Sequence, residues 1–403
     1  MSFMRVLMFG WELPPHNSGG LGVACYNLAK ALCEKNAEVV FVLPQKCDDT
    51  SSDAFRVVFA NTAIRVRGIR SPLIPYLTAE QYTELVASGG IRHFGETLRD
   101  EVMRYGAEAR RIAEQEQCDI IHAHDWLSFP AGVAAKRVSG KPLIAHVHAT
   151  EFDRTGGQEA NQEVYEIEKW GMEQADKVVA VSHLTKNMII AKYGIAPEKI
   201  EVVHNAVDDA IAGGDAPRSF SFPGKAIVLF VGRMTLQKGP DYFVAAARKV
   251  LEQEKDVMFV MAGDGDMYHA VIEQASRLGI VEHFSFTGFL RGEELTRLYR
   301  SADIFVMPSI SEPFGLTALE ALKNHAPVLI SRQTGVGEVL SHCLKVDFWD
   351  VDEMAAKILA VVRYRELGRC LSDNGHAEVS RFSWSSVAEK CIGIYRSLTL
   401  TGA

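Results

Sequence analysis

Residues 303–330 constrain the fold more than any other stretch of this chain. They open with Asp303-Ile304-Phe305-Val306-Met307-Pro308, a short apolar run that reads as a parallel strand buried on both faces. A loop follows, Ser309-Ile310-Ser311-Glu312-Pro313-Phe314-Gly315, then a helix over residues 316–324 and a second apolar run at residues 327–330. Strand, loop, helix and strand in that order predict an open α/β sheet, in which ligands bind at the carboxyl ends of the strands. Glu312 stands in that loop. Gly315 allows close backbone approach, and the amides of Phe314, Gly315, Leu316 and Thr317 lie at the helix N-terminus, where donors are left over. Glu320 comes eight residues after Glu312, about two helical turns on. Two carboxylates and a row of amides can grip a polyhydroxylated ligand. The ordinary explanations are that a helix dipole favours a Glu before the helix and that Glu320 pairs with Lys323.

At 403 residues the chain exceeds one ordinary core, and two domains are expected. A net charge of −8 argues against nucleic acid as the main partner. The basic run at residues 65–70 reads as a solvated surface. Seven scattered cysteines without a C-x-x-C pair argue against a disulfide framework or a zinc cluster, and for a reducing compartment. The N-terminus has no signal-peptide layout, and no apolar run approaches a membrane span of about 18 residues. The expectation is a cytoplasmic protein without integral membrane association.

The first half opens as a βαβ unit: a strand at residues 5–10, a helix carrying Leu21, Ala24, Cys25, Leu28 and Leu32, and a strand at residues 38–44. Its turn, Ser18-Gly19-Gly20-Leu21-Gly22, lets amides at a helix start approach a phosphate. It is not a G-x-G-x-x-G, and no acidic residue ends the second strand, so a nicotinamide dinucleotide is disfavoured. Residues 45–100 read as an insertion with little regular core, and residues 96–117 as an amphipathic helix of mixed charge. Next, His122-Ala123-His124-Asp125-Trp126 ends one strand and His148 ends another at residues 142–147. Alternation puts His122 and His124 on one face without a convincing third ligand, so no metal is expected. Further strands at residues 178–182 and 200–203 lead to Asn205.

The second half repeats the plan: a strand at residues 226–232, a loop with Arg233 and Lys238, a helix from Pro240, and a strand at residues 257–262. Two cations at the carboxyl end of a strand can face an anion, Arg by forking two oxygens and Lys as a point charge. Gly263-Asp264-Gly265-Asp266 reads as a glycine-rich turn rather than a metal-binding Asp-x-Asp, and Phe289 follows the next strand, at residues 284–288. Residues 384–398 carry an apolar stripe of Val387, Cys391, Ile394 and Leu398.

The string Glu312-Pro313-Phe314-Gly315-Leu316-x-x-Leu319-Glu320-Ala321 resembles the signature of retaining nucleotide-sugar glycosyltransferases of family 4, which have the GT-B fold. The His-x-His-Asp-Trp string is similar to bacterial glycogen and starch synthases and their relatives. The resemblance implies two Rossmann-like domains facing each other across a central cleft. These would be an acceptor-side domain at 1–208, a linker at 209–225, a nucleotide-sugar domain at 226–380, and a helix at 381–403 crossing back to the first domain.

It further implies that Arg233 and Lys238 clamp the diphosphate and that Glu312 with the amides of Phe314, Gly315, Leu316 and Thr317 holds the sugar. Glu320 would hold the ribose, His148 a sugar hydroxyl, and Asp125 would lie near the reacting groups. Gly19 and Gly20 would abut the diphosphate, Gly263 the nucleotide and Phe289 the base. Asn205 matches the polar ligand of Asn-Gly-Val-Asp, although Ala206 replaces its glycine and is strained if that position needs positive φ. The implied activity transfers a hexose, glucose first, from ADP- or UDP-glucose to an oligo- or polysaccharide without cofactor or metal. The alternatives are a non-catalytic nucleotide-sugar or glycan binder on the same fold and a sugar-nucleotide epimerase.

Overall fold

The computed structural model describes residues 4–13, 19–45, 54–58, 63–71, 73, 79–87, 96–157, 160–207 and 220–400. Ser18 of the glycine turn, Pro72, Pro75 and Tyr76 of the expected insertion, and residues 209–219 of the expected linker lie outside these. The chain divides into two compact units: Met1–Glu151, Ala160–Asn205 and Trp384–Ala403 form unit 1, and Phe152–Glu159 with Ala206–Ser383 form unit 2.

Among the described residues, unit 1 holds β1 (Met4–Phe9), β2 (Ala37–Gln45), β3 (Ala54–Val58), β4 (Ala63–Arg70), β5 (Ile120–His124), β6 (Leu143–Val147), β7 (Lys177–Ala180) and β8 (Ile200–Val202). They form one sheet in the order β3-β4-β2-β1-β5-β6-β7-β8. All pairs are parallel except β3 with β4. The order reverses between β1 and β5, where an α/β sheet opens a crevice at its strand ends.

The region expected to lack regular core contributes β3, β4 and a helix at Ala79–Ala87. In β4 the alternation is real: Ile64 and Val66 are buried, while Arg65 pairs with Glu38 and Glu116, and Arg67 with Glu116. The basic run is therefore the outer face of a strand, matched by acidic neighbours. The long helix begins at Leu98, behind a capping box between Thr97 and Asp100, and ends at Gln115.

Unit 2 holds β9 (Ala226–Val231), β10 (Val257–Ala262), β11 (Phe284–Gly288), β12 (Ile304–Met307), β13 (Val328–Ser331) and β14 (Leu344–Val346). Their order is β11-β10-β9-β12-β13-β14, with every pair parallel. This is the doubly wound nucleotide-binding order, reversing between β9 and β12. The helix Pro240–Gln253 covers one face because Phe243, Val244, Ala247, Val250 and Leu251 fall on one side and pack with Phe230, Phe259 and Met261.

The final helix, Trp384–Leu400, belongs with unit 1. It buries Val387, Ala388, Cys391 and Tyr395 and packs against the helix Gly20–Glu34, where Lys35 pairs with Glu389. No helix among the described residues is long and apolar enough to cross a membrane.

Candidate active site

In unit 2 the loops after β9 and β12 flank the reversal point, and they carry the cations and the carboxylate. Pro308 ends β12, and the loop that follows turns back so that Glu312 pairs with Thr334 in a short parallel bridge. Its amide donates to Gln333 O at 2.9 Å, and its carbonyl accepts from Gly335 N at 2.8 Å. The Glu312 side chain is 9% exposed and forms an ion pair with the half-buried Lys238. Ser309 Oγ adds a donor 3.3 Å from the same carboxylate oxygen.

Lys238 ends a short turn, Leu236–Lys238, that is fastened to the β12 loop. Ile310 N donates to Gln237 O at 2.9 Å. Gly239 has φ +62°, and a Cβ there would lie 2.3 Å from Pro308 O. Only glycine gives both that backbone conformation and that approach. Arg233 is exposed in the same loop, next to Met234, which is fully buried and bonded through its amide to Asp264 O at 2.9 Å. The turn after β10 thus braces the cation loop. Gly263 has φ +139°, and a Cβ there would lie 1.9 Å from Gly232 O, so only glycine fits the turn. Asp264 Oδ1 accepts from Gly265 N at 2.8 Å, so its carboxylate serves the turn itself.

Gly315 has φ +112° and opens the helix Leu316–Lys323. A Cβ on Gly315 would come within 2.9 Å of Met307 Cε, a contact that flexible side chain can relieve, so it is the left-handed backbone that favours glycine here. Phe314 is buried, and its carbonyl accepts from Val336 N at 2.7 Å. Glu320 is partly exposed and accepts a hydrogen bond from Tyr299 Oη at 3.0 Å. Burial raises its carboxyl above the usual range, and the Tyr299 hydroxyl offsets part of that rise. Phe289, after β11, is 55% exposed, with the Arg291 guanidinium over its ring at 4.7 Å. Asp153 also belongs to this unit and accepts from Ser311 Oγ at 2.6 Å, beside Glu312 in sequence.

In unit 1 the sequence-predicted residues lie after β1, β5, β6 and β8. Gly19 caps the helix Gly20–Glu34, and the fully buried Glu12 accepts from the amides of Gly19 and Gly22 at 3.1 and 3.0 Å. A carboxylate therefore already takes up part of the donor capacity of this helix start. Gly20 is exposed, with open space where a Cβ would be. Asp125 adopts φ +57°, a left-handed conformation that Asp tolerates, and is 3% exposed. Its Oδ1 accepts from the amides of His148 and Ala149 at 2.6 and 3.4 Å, which fixes the backbone after β6. Asn205 is buried. Among described non-glycine residues, only Asn36, Asp125 and His325 have positive φ, so the anticipated strain at Ala206 does not arise.

One histidine that the sequence reading did not single out, His146, completes a cluster with His122, His124 and His148. The register sets His124 of β5 opposite His146 of β6. His122 Nε2 faces His146 Nδ1 at 3.0 Å, and His124 Nδ1 faces His148 Nε2 at 2.9 Å. The expected lack of a third ligand is thus overturned, since His122, His124 and His146 lie close enough together to be considered for a metal. Their rings pair nitrogen to nitrogen across the strands and stack along them, a geometry that shared N–H bonds account for. Burial holds His122 and His148 down to about 3 and pushes His124 and His146 well below the usual imidazole range. All four are neutral at pH 7.

Two family models match the chain. "Glycosyltransferase Family 4" covers residues 18–211 and "Glycosyl transferases group 1" covers residues 215–377. The chain is 28% identical to a glycogen synthase of Mycobacterium tuberculosis over 84% of this chain and 80% of that one. It is 30% identical to a D-inositol 3-phosphate glycosyltransferase of Catenulispora acidiphila over 69% of this chain and 72% of that one. Its fold matches sucrose-phosphate synthase of Thermosynechococcus elongatus with a TM-score of 0.79, at 19% identity over 99% of this chain and 100% of the other. With both sheets, their strand orders and these matches in agreement, the chain belongs to the family 4 glycosyltransferases of two-domain GT-B fold.

Proposed function

We propose that this glycosyltransferase is a retaining, metal-independent hexosyltransferase of the glycogen synthase type. It moves glucose from ADP- or UDP-glucose to an oligo- or polysaccharide. The observation that carries the reading is the constellation of Lys238, Glu312 and Arg233 on the two loops that flank the β9/β12 reversal. Breaking the anomeric C–O bond builds negative charge on the departing diphosphate. Arg233 would fork two of its oxygens, Lys238 would turn from Glu312 toward it, and the helix N-terminus at Leu316 and Thr317 would add dipole and amides. Preorganised donors of this sort lower the barrier by about 2.7–4 kcal/mol each.

Glu312, released from Lys238, would orient the sugar and steady its oxocarbenium character, with the amides of Phe314 and Gly315 beside it. Glu320 would take the ribose, Gly263 would let the nucleotide approach the backbone, and Phe289 would stack on the base. From unit 1, His148 would hold a sugar hydroxyl, Asp125 would keep the His148 backbone in place on the acceptor side, and Asn205 and Gly20 would contact the donor. Among the described residues no side chain stands out as a double-displacement nucleophile, and attack on the same face as the leaving group is proposed, a phosphate oxygen accepting the acceptor's proton. Replacing Lys238 by Ala should lower glucose release from UDP- or ADP-glucose roughly 10²- to 10³-fold. An unchanged rate would refute the assigned role.

A further inference from the structure

The histidine cluster forms a two-by-two array that the proposed chemistry uses at one corner only, His148. Its cross-strand pairs are His122–His146 and His124–His148, and along the strands the rings stack with centroids 4.4 and 4.1 Å apart. Tyr395 closes the rear pair, its hydroxyl 2.6 Å from His122 Nδ1. Phe41 of β2 stacks on His124 at 6.3 Å, and Cys25 Sγ of the helix Gly20–Glu34 lies within 4.8 Å of the His124 and His148 nitrogens. The Asp125 carboxylate nearby is turned to the His148 backbone amide, and the Glu12 carboxylate also acts on Cys25.

A neutral imidazole has one N–H and one lone pair. Two neutral rings meeting nitrogen to nitrogen must therefore share one proton, and the tautomer of each dictates that of the other. His148 Nδ1 and His124 Nε2 are buried and have no hydrogen-bond partner among the described residues, so the mutual contact is the hydrogen bond that orders the protons of both rings. We propose that His124 is a positioning residue for His148: it selects the tautomer and holds the ring plane of His148, while the His122–His146 pair and Tyr395 form a rigid backing. What His148 does for a sugar rests on the glycosyl-transfer reading; the pairing itself does not.

The test is a double-substitution cycle on the full chain, with UDP-glucose and ADP-glucose as donors and UDP and ADP as affinity probes. His124→Phe keeps volume and stacking but removes the shared proton. It should slow glucose release about 10- to 100-fold and leave the nucleoside diphosphate Kd within about twofold. His148→Ala and the double variant should be equally slow, and His124→Gln, whose amide can either donate or accept, should recover most of the rate. The ¹⁵N shifts of the His148 ring should differ between wild type and His124→Phe. Additive rate losses, or loss of nucleotide affinity in step with rate, overturn the inference. So do unmoved His148 shifts, whatever the activity. A wild-type protein that releases no sugar from either donor overturns the proposed function instead; the ¹⁵N comparison then decides the pairing alone.

Discussion

Gly239 shows how much of the candidate site depends on one missing atom. Its φ of +62° and the 2.3 Å approach to Pro308 O mean that a methyl group must displace the backbone of β12 or of the Lys238 turn. A left-handed alanine alone costs roughly 1–2 kcal/mol. Gly239→Ala should therefore lower stability by at least about 2 kcal/mol in urea titration. It should also cut donor turnover by about 10²-fold, since misplacing a reacting group by about 1 Å has that effect. The histidines make a second residue-level prediction. Their folded-state values lie below the ordinary imidazole value of about 6.5, so the unfolded chain binds more protons as pH falls below that value. Stability is complete above pH 6.5 and is lost progressively toward pH 3. Equilibrium unfolding should show an uptake of at least two protons between pH 6 and pH 5, and replacing His122 by Phe should flatten that slope. A slope that does not change would mean that the array is charged or hydrated in the native state.

At the scale of elements, the helix Gly20–Glu34 begins on a carboxylate. Glu12 comes from the chain after β1 and reaches the amides of Gly19 and Gly22 at 3.1 and 3.0 Å. Removing the partner of a buried donor costs about 1–3 kcal/mol. Glu12→Ala should cost that much in chemical denaturation, and a loss below about 0.5 kcal/mol would show that water replaces the carboxylate. Glu12 was invisible in the sequence because its partners lie seven and ten residues away across a loop with no periodicity. The central strands were legible for the opposite reason. Residues buried on both faces, as in β10 and β12, must be apolar throughout, and such runs read directly. β3 and β4 were missed because β3 lies at the sheet edge, and the polar half of the β4 alternation, Arg65 and Arg67, read as a solvated basic run rather than as the outer face of a strand. That Glu312, Lys238 and Gly315 fall in loops after strands was legible because a βαβ repeat makes those strand ends predictable. The His124–His148 pair was not, since which residues of two parallel strands face one another is set by packing between distant segments.

For the whole molecule, chain order and structural membership part company at the C-terminus. The helix Trp384–Leu400 follows the last element of unit 2 in sequence, yet its buried face lies in unit 1. Val387, Ala388 and Cys391 pack there, and Tyr395 is fully buried with its hydroxyl on His122. Burying an apolar side chain of Val or Leu size contributes about 1.5–3 kcal/mol, so the helix supplies several kcal/mol to a unit other than the one it follows. A chain ending at Ser383 should consequently show two calorimetric transitions that respond unequally. The unit 1 transition should fall by about 10 °C or more, at roughly 2–4 °C per kcal/mol for a domain of this size. The unit 2 transition should stay within about 2 °C of its full-length value and still rise when UDP or ADP is added, because a ligand that binds only the folded form stabilises it by mass action. If the unit 2 transition drops instead while unit 1 is untouched, the helix supports the nucleotide side, and the backing role of Tyr395 behind His122 falls with it.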